Sequence, residues 1–177
     1  MEEQIILEEE AIAEERAIEA ARLGAAITQR AIRKLPTLRS PVCVPPSASV
    51  RDGVDAMNEH RTGCVLVVEA DRLVGVFTER DVLTRVVGRV DIDATPVARV
   101  MTPDPECLTL EDGISYALNM MSDGGFRHIP LIDAEQHPTG VVAMRDIVDY
   151  MVDLFPEAVL NLPPSPALGI AREREGA

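Results

Sequence analysis

Two rhythms of apolar residues alternate along residues 42–152 of this chain. Short unbroken runs set the first: VCV at 42–44, CVLVV at 64–68 and LVGVF at 73–77. Val-rich runs of this length, bounded by Pro, Gly or charged residues, predict buried strands, and EADR between the last two predicts a hairpin turn. The second rhythm is helical. SVRD at 49–52 is a Ser-x-x-Asp capping box opening a predicted helix over 49–60. A helix over 79–88 would turn Val82, Leu83, Val86 and Val87 inward.

The series then returns. ECLTL (106–110) contains a strand, and TLED (109–112) is a capping box for a helix over about 112–122. HIPLI (128–132) and GVVA (140–143) are strands, and MRDIVDYMV (144–152) is the closing helix. The offset is 64 from Val44→Leu108 through Met57→Met121 to Val68→Ile132, and 65 at Gly75→Gly140, where the second hairpin is one residue longer. A period near 64 is too long for a solenoid and marks a duplicated domain. The expected divisions are repeat 1 at 36–90 and repeat 2 at 91–154, in an α+β fold of two β-α-β-β-α units. Residues 1–35, with one Gly and no Pro before Pro36, predict a long helix, and Pro-rich 155–177 a partly ordered tail. The helix is polarised to suit its dipole: residues 1–21 hold eight Glu and one Arg, and 22–35 hold three Arg and one Lys.

Composition narrows the partners. A net charge of −13 argues against a nucleic-acid backbone or an anionic membrane surface. No apolar run approaches the ~20 residues that span a bilayer. The acidic start MEEQIILEEE lacks the basic region of a signal peptide. Cys43, Cys64 and Cys107 form no C-x-x-C pair and sit in or beside apolar runs, which fits free thiols of a cytoplasmic protein. His60, His128 and His137 share no metal-ligand spacing, and no phosphate-loop, dinucleotide-binding or zinc-protease motif occurs. No metal and no catalytic constellation are expected.

One stretch raises a chemical question. GVFTERD (75–81) returns as GVVAMRD (140–146), keeping Gly, Val, Arg and Asp but losing the Thr. Thr78-x-x-Asp81 is itself a capping box, which explains the first copy without a ligand. Ala143 has no side-chain oxygen to cap with, yet Asp146 persists, which points to a second use for the carboxylates. A strand running into a helix start aims free N–H groups at an anion. A carboxylate in the first turn can accept both hydroxyls of a ribose, Thr can donate to phosphate, and Arg supplies a charged fork. Diol, phosphate and base together describe a nucleotide.

Two copies of strand-helix-strand-strand-helix, each closing on G-h-h-[TS]-x-x-D, resemble a tandem pair of CBS domains, the Bateman module. VARVMTPDP (97–105), RHIPLID (127–133) and GCVLVVE (63–69) support the resemblance, which covers residues 38–153. It implies two repeats packed about a pseudo-twofold axis, with clefts for AMP, ADP, ATP or S-adenosylmethionine as regulatory ligand. Carried onto this chain, one site has Thr78 and Asp81, with Thr62, Gly63 and Cys64 near the base. The other has Asp146, with Phe126, Arg127 and His128 near the base, and Arg80 and Arg145 are phosphate contacts. The missing hydroxyl at Ala143 predicts the Thr78/Asp81 site to be the tighter by up to about 0.5–1.5 kcal/mol. The resemblance also implies a homodimer, to which the apolar stripe of residues 5–31 would add, and output to a regulated protein or to self-assembly. The rival expectation is a dimerisation protein whose clefts are vestigial.

Overall fold

The computed structural model describes residues 30–154 together with Ile18 and Gly24, both helical and exposed. Most of the predicted N-terminal helix and the tail at 155–177 lie outside the described residues. Where residues 30–35 are described, that helix does not continue. Ala31 is extended and bridges Gly113, and Ile32–Lys34 is a single 3-10 turn. Its Ile32 and Leu35 are buried, and burying both fixes the backbone more firmly than helix propensity does.

Repeat 1 begins with β1 (Cys43–Val44), α1 (Val50–His60), β2 (Cys64–Glu69) and β3 (Arg72–Thr78). Ser49 caps α1 as expected: its hydroxyl accepts from Asp52 N–H, and Asp52 accepts from Ser49 N–H. The next helix departs from expectation. α2 is one α turn, Glu79–Asp81, and then widens into a π turn over Val82–Val86. Widening re-phases the side chains. Val86 is buried, but Leu83 and Val87 are 73% and 61% exposed rather than inward.

A 3-10 turn at Val97–Arg99 and the short β4 (Thr102–Pro103) lead into repeat 2, with α3 (Ile114–Gly124), β5 (His128–Ile132), β6 (Pro138–Ala143) and α4 (Met144–Leu154). The predicted TLED box forms, with Thr109 N–H and hydroxyl both donating to Asp112. It closes a turn ahead of α3 rather than capping it. The position that matches Ser49 is Gly113, which has no side chain to offer.

The sheets explain how the repeats join. One sheet has the order β1-β2-β3-β4, with β1 parallel to β2 and the rest antiparallel. In the other, β5 pairs antiparallel with β6. Leu108 bridges Leu131 in parallel as β1 does β2, and Arg39 bridges Val141 antiparallel, on the side of β6 where β4 would lie. The outer strand of each sheet therefore comes from the segment entering the other repeat. Packing follows the same exchange. Ile32 and Leu35 belong to the core of Ile114, Ile129, Leu131 and Ile147. Val97 and Val100 belong to the core of Val50, Val65, Val67 and Phe77. A third cluster, Cys64, Leu66 and Val76 with Val141, joins the two sheets.

A Cβ at Gly75 would overlap the Met101 side chain of the crossing segment. At Gly140 it would make only ordinary contact, 3.5 Å from the Arg39 carbonyl oxygen of the reciprocal segment. Among the described residues, no helix is long and apolar enough to cross a membrane.

Candidate functional site

The strand ends of both repeats open onto one continuous cavity of about 1050 Å³. All eleven residues singled out in the sequence line it: Thr62, Gly63, Cys64, Thr78, Arg80, Asp81, Phe126, Arg127, His128, Arg145 and Asp146. Sequence reasoning missed Arg39, Ser40, Arg61, Arg85, Thr102 and Asp104, which also line it. Most of these stand on the entering segments or at the end of α1, away from the repeated motif. The signal available was the shared T-x-R-S-P and T-P-D-P character of those segments.

The two motif carboxylates are buried. Asp81 Oδ2 accepts from the Thr78 amide at 2.9 Å and the Thr78 hydroxyl at 2.7 Å. Its Oδ1 faces Arg85 Nη1 at 3.4 Å. Arg85 Nη1 donates further to the carbonyls of Val100, at 3.0 Å, and Met101, at 2.6 Å. Asp146 accepts from the Ala143 amide at 2.8 Å. Half of the capping box thus survives without the Thr, because that half uses a backbone donor.

Neighbours within a repeat match the expected grouping on the backbone. Cys64 pairs with Thr78, and His128 with Ala143. Glu79 N–H donates to Gly63 O, and Met144 N–H to Arg127 O. The opposite repeat completes each half. Arg80 donates to Gly125 O at 2.8 Å, which places the loop before Phe126 against the Asp81 turn. Arg39, bridged to Val141, has Nη1 3.5 Å from Arg61 O, which places Arg39 and Arg61 on the Asp146 side.

Between the halves the repeats nearly touch. A Cβ on Gly63 would sit 2.8 Å from His128 Cε1, so only glycine admits the imidazole there. Burial, the dominant cause, holds His128 below its ordinary pKa, assisted by Arg127 and opposed by Glu79 and Asp146. Burial likewise pushes the Cys64 thiol up to about 12, which removes it as a nucleophile. Six arginines line the cavity against five carboxylates, in a chain whose net charge is −13. The cavity is therefore a local exception to the acidic surface, fit for an anion with a polar diol. At the tip of the β5–β6 hairpin, Asp133, Glu135 and His137 lie together. Asp133 there accepts from the His137 and Glu135 amides and contacts the His137 ring, so the cluster folds the turn.

Two repeats that complete each other's sheets around a shared cavity define a paired, duplicated domain module. Residues 32–88 and 97–153 each match the CBS domain, and the chain belongs to that family. It is 34% identical over 112 residues to an uncharacterized 17.7 kDa protein of Acidianus ambivalens, covering 63% of this chain and 67% of that one. It spans only 25% of a CBS domain-containing protein of Arabidopsis thaliana that it matches at 31% identity. A CBS domain protein from Pyrobaculum aerophilum complexed with AMP superposes with a TM-score of 0.62 at 24% identity, over 70% of this chain and 99% of that one. A CBS domain pair in complex with 5′-methylthioadenosine and S-adenosyl-L-methionine gives 0.63 at 15% identity, over 71% and 98%. At these identities the two likenesses establish the fold.

Proposed function

We propose that the chain is a regulatory module that binds an adenosine-containing ligand in the cavity between its repeats and acts through a partner or through its own assembly, not by catalysis. The observation that carries this reading is the pair of buried carboxylates, each at a strand-to-helix turn, facing one cavity that gathers six arginines in an acidic chain. The AMP and S-adenosylmethionine complexes of structurally similar domain pairs support the ligand class. Three free thiols suit a reducing compartment such as the cytoplasm.

Isothermal titration of the full chain with AMP, ADP, ATP and S-adenosylmethionine tests the proposal, joined to mass spectrometry of what the purified protein releases on denaturation. Saturable micromolar binding of any of them supports it. Absence of binding and of a released nucleoside sinks it.

In that event the assembly reading takes over. The completeness of the Thr78–Asp81 box without a ligand favours it. Its surface would be the apolar residues left outside: Leu83 on α2 and Val148, which matches it on α4, are both exposed, as are Val87 and Tyr116. A homodimer through these helices belongs to both readings, and sedimentation of Leu83→Glu against wild type tests it, with a monomeric variant expected.

A further inference from the structure

We infer that the two halves of the cavity are unequal: Arg85 fills the Asp81 half as an internal counter-ion, and a nucleoside di- or triphosphate binds in the Asp146 half. This rests on the nucleotide-binding reading above and adds the location and the charge of the ligand.

The Asp81 carboxylate is engaged on both oxygens within the fold. One oxygen holds the Thr78 amide and hydroxyl, and the other faces Arg85. Arg85 in turn is fixed by two carbonyls of the segment between the repeats. A ribose arriving there would have to compete with a cation that is already bonded. The residue in the matching place of repeat 2 is Tyr150, which is neutral and buried. Its hydroxyl accepts from Arg30, whose guanidinium also lies over the ring. Among the described contacts, Asp146 has the Ala143 amide on one oxygen and no ion pair. Its carboxylate retains acceptor capacity for a diol.

Charge separates the halves in the same direction. The segment entering repeat 1 brings Arg39 to the Asp146 half through its bridge to Val141, and the segment entering repeat 2 brings Asp104, with Glu106 two residues on, beside β3 in the Asp81 half. Around Asp146 stand Arg39, Arg61 and Arg145. Around Asp81, Asp104 and Glu106 stand Arg80 and Arg85, both donating to carbonyls at 2.6–3.0 Å, whereas Arg39 reaches the Arg61 carbonyl only at 3.5 Å and Arg145 pairs loosely with Asp149 at 3.6 Å. With Arg127 and Glu79, which stand beside His128, four arginines face two carboxylates there, an excess that suits a polyphosphate, which guanidinium forks bind bidentately. They disfavour the sulfonium and ammonium of S-adenosylmethionine. The order of the halves reverses the ranking that the missing hydroxyl of Ala143 suggests.

Calorimetric titration of the full chain with ATP, at low and high salt, tests this. Wild type should bind one equivalent, more tightly than adenosine or S-adenosylmethionine, and weaken as salt rises. Asp146→Asn and the surface variant Arg39→Gln should each weaken binding about tenfold or more. Asp81→Asn, checked for folding by circular dichroism, should weaken binding several-fold less than Asp146→Asn does. Arg85→Met should open the first half, raising the stoichiometry from one to two. Two equal sites in wild type, or loss of binding in Asp81→Asn with Asp146→Asn unaffected, overturns the inference. So does Arg85→Met remaining at one equivalent. Tighter binding of S-adenosylmethionine than of ATP overturns it while leaving the adenosyl reading intact. No binding of any ligand removes both.

Discussion

At the scale of single residues, the contact between Gly63 and His128 controls how the repeats meet. Gly63→Ala would place a methyl 2.8 Å from a ring atom. An aromatic ring cannot fold away as a methionine can, so the expected loss is about 1–3 kcal/mol, measured by denaturant unfolding. The imidazole also sets a pH dependence. Glu79, Arg127 and Asp146 are the charged groups around it, and burial keeps its folded pKa below the ordinary 6.5. Below that value the unfolded chain takes up the proton more readily than the folded one. Stability present above about pH 6.5 is therefore lost as pH falls through that value toward the depressed pKa. Melting temperature across this window should drop in wild type and flatten in His128→Gln relative to the carboxylate background. At Cys64, burial and a pKa near 12 predict no reaction with a thiol reagent in the native state, while exposed Cys43 is modified. Labelling followed by peptide mapping reads this directly.

Single elements show what could be read from the sequence and what could not. Strand and helix order in both repeats was legible because a period of 2 or 3.6 is set locally by which side chains face a core. That the eleven candidate residues would meet at one cavity was legible because their positions recur at a fixed offset. Element ends were less so. TLED has the composition of a cap but stands four residues too early. The helix starts instead at the position that matches Ser49, although Gly113 fills it and offers no side-chain cap. This mismatch is testable. Ser49→Ala should cost α1 about 0.5–2 kcal/mol. Gly113→Ser should stabilise α3 by a few tenths of a kcal/mol, because Gly113 is already extended at φ −75°. The π turn after Asp81 was hidden because Val82, Leu83, Val86 and Val87 fit a helical stripe, and only tertiary contact decides which of them is buried. Arg39, Arg61 and Arg85 were hidden for a related reason. Arg39 and Arg61 reach the cavity from a crossing segment and a helix end, and Arg85 from the π turn, placements that depend on contacts far away in sequence.

For the whole molecule, the reciprocal exchange makes the two repeats one folding unit. Repeat 1 needs Val97, Val100 and β4, and repeat 2 needs Ile32, Leu35 and the Arg39 bridge. The division at residues 36 and 91 therefore differs from the division of the cores. Trimming the chain through Leu35 would remove two core residues, so a test of the N-terminal segment's role in assembly has to stop before Arg30. Cutting the chain between residues 90 and 91 should leave residues 1–90 and 91–177 each poorly folded alone. Mixing them should restore a cooperative melt and native circular dichroism. Two fragments that each melt cooperatively on their own would contradict the exchange.

The same exchange bears on how such a chain arose. A polypeptide with one repeat carries an entering segment that its own sheet does not use and a sheet edge that its own segment does not reach. It becomes complete only when a second copy supplies the matching piece in return. Tandem fusion would then have joined two molecules that were already obligate companions. Once they were on one chain, the halves were free to diverge, and the matching positions now hold Arg85 in one and Tyr150 in the other.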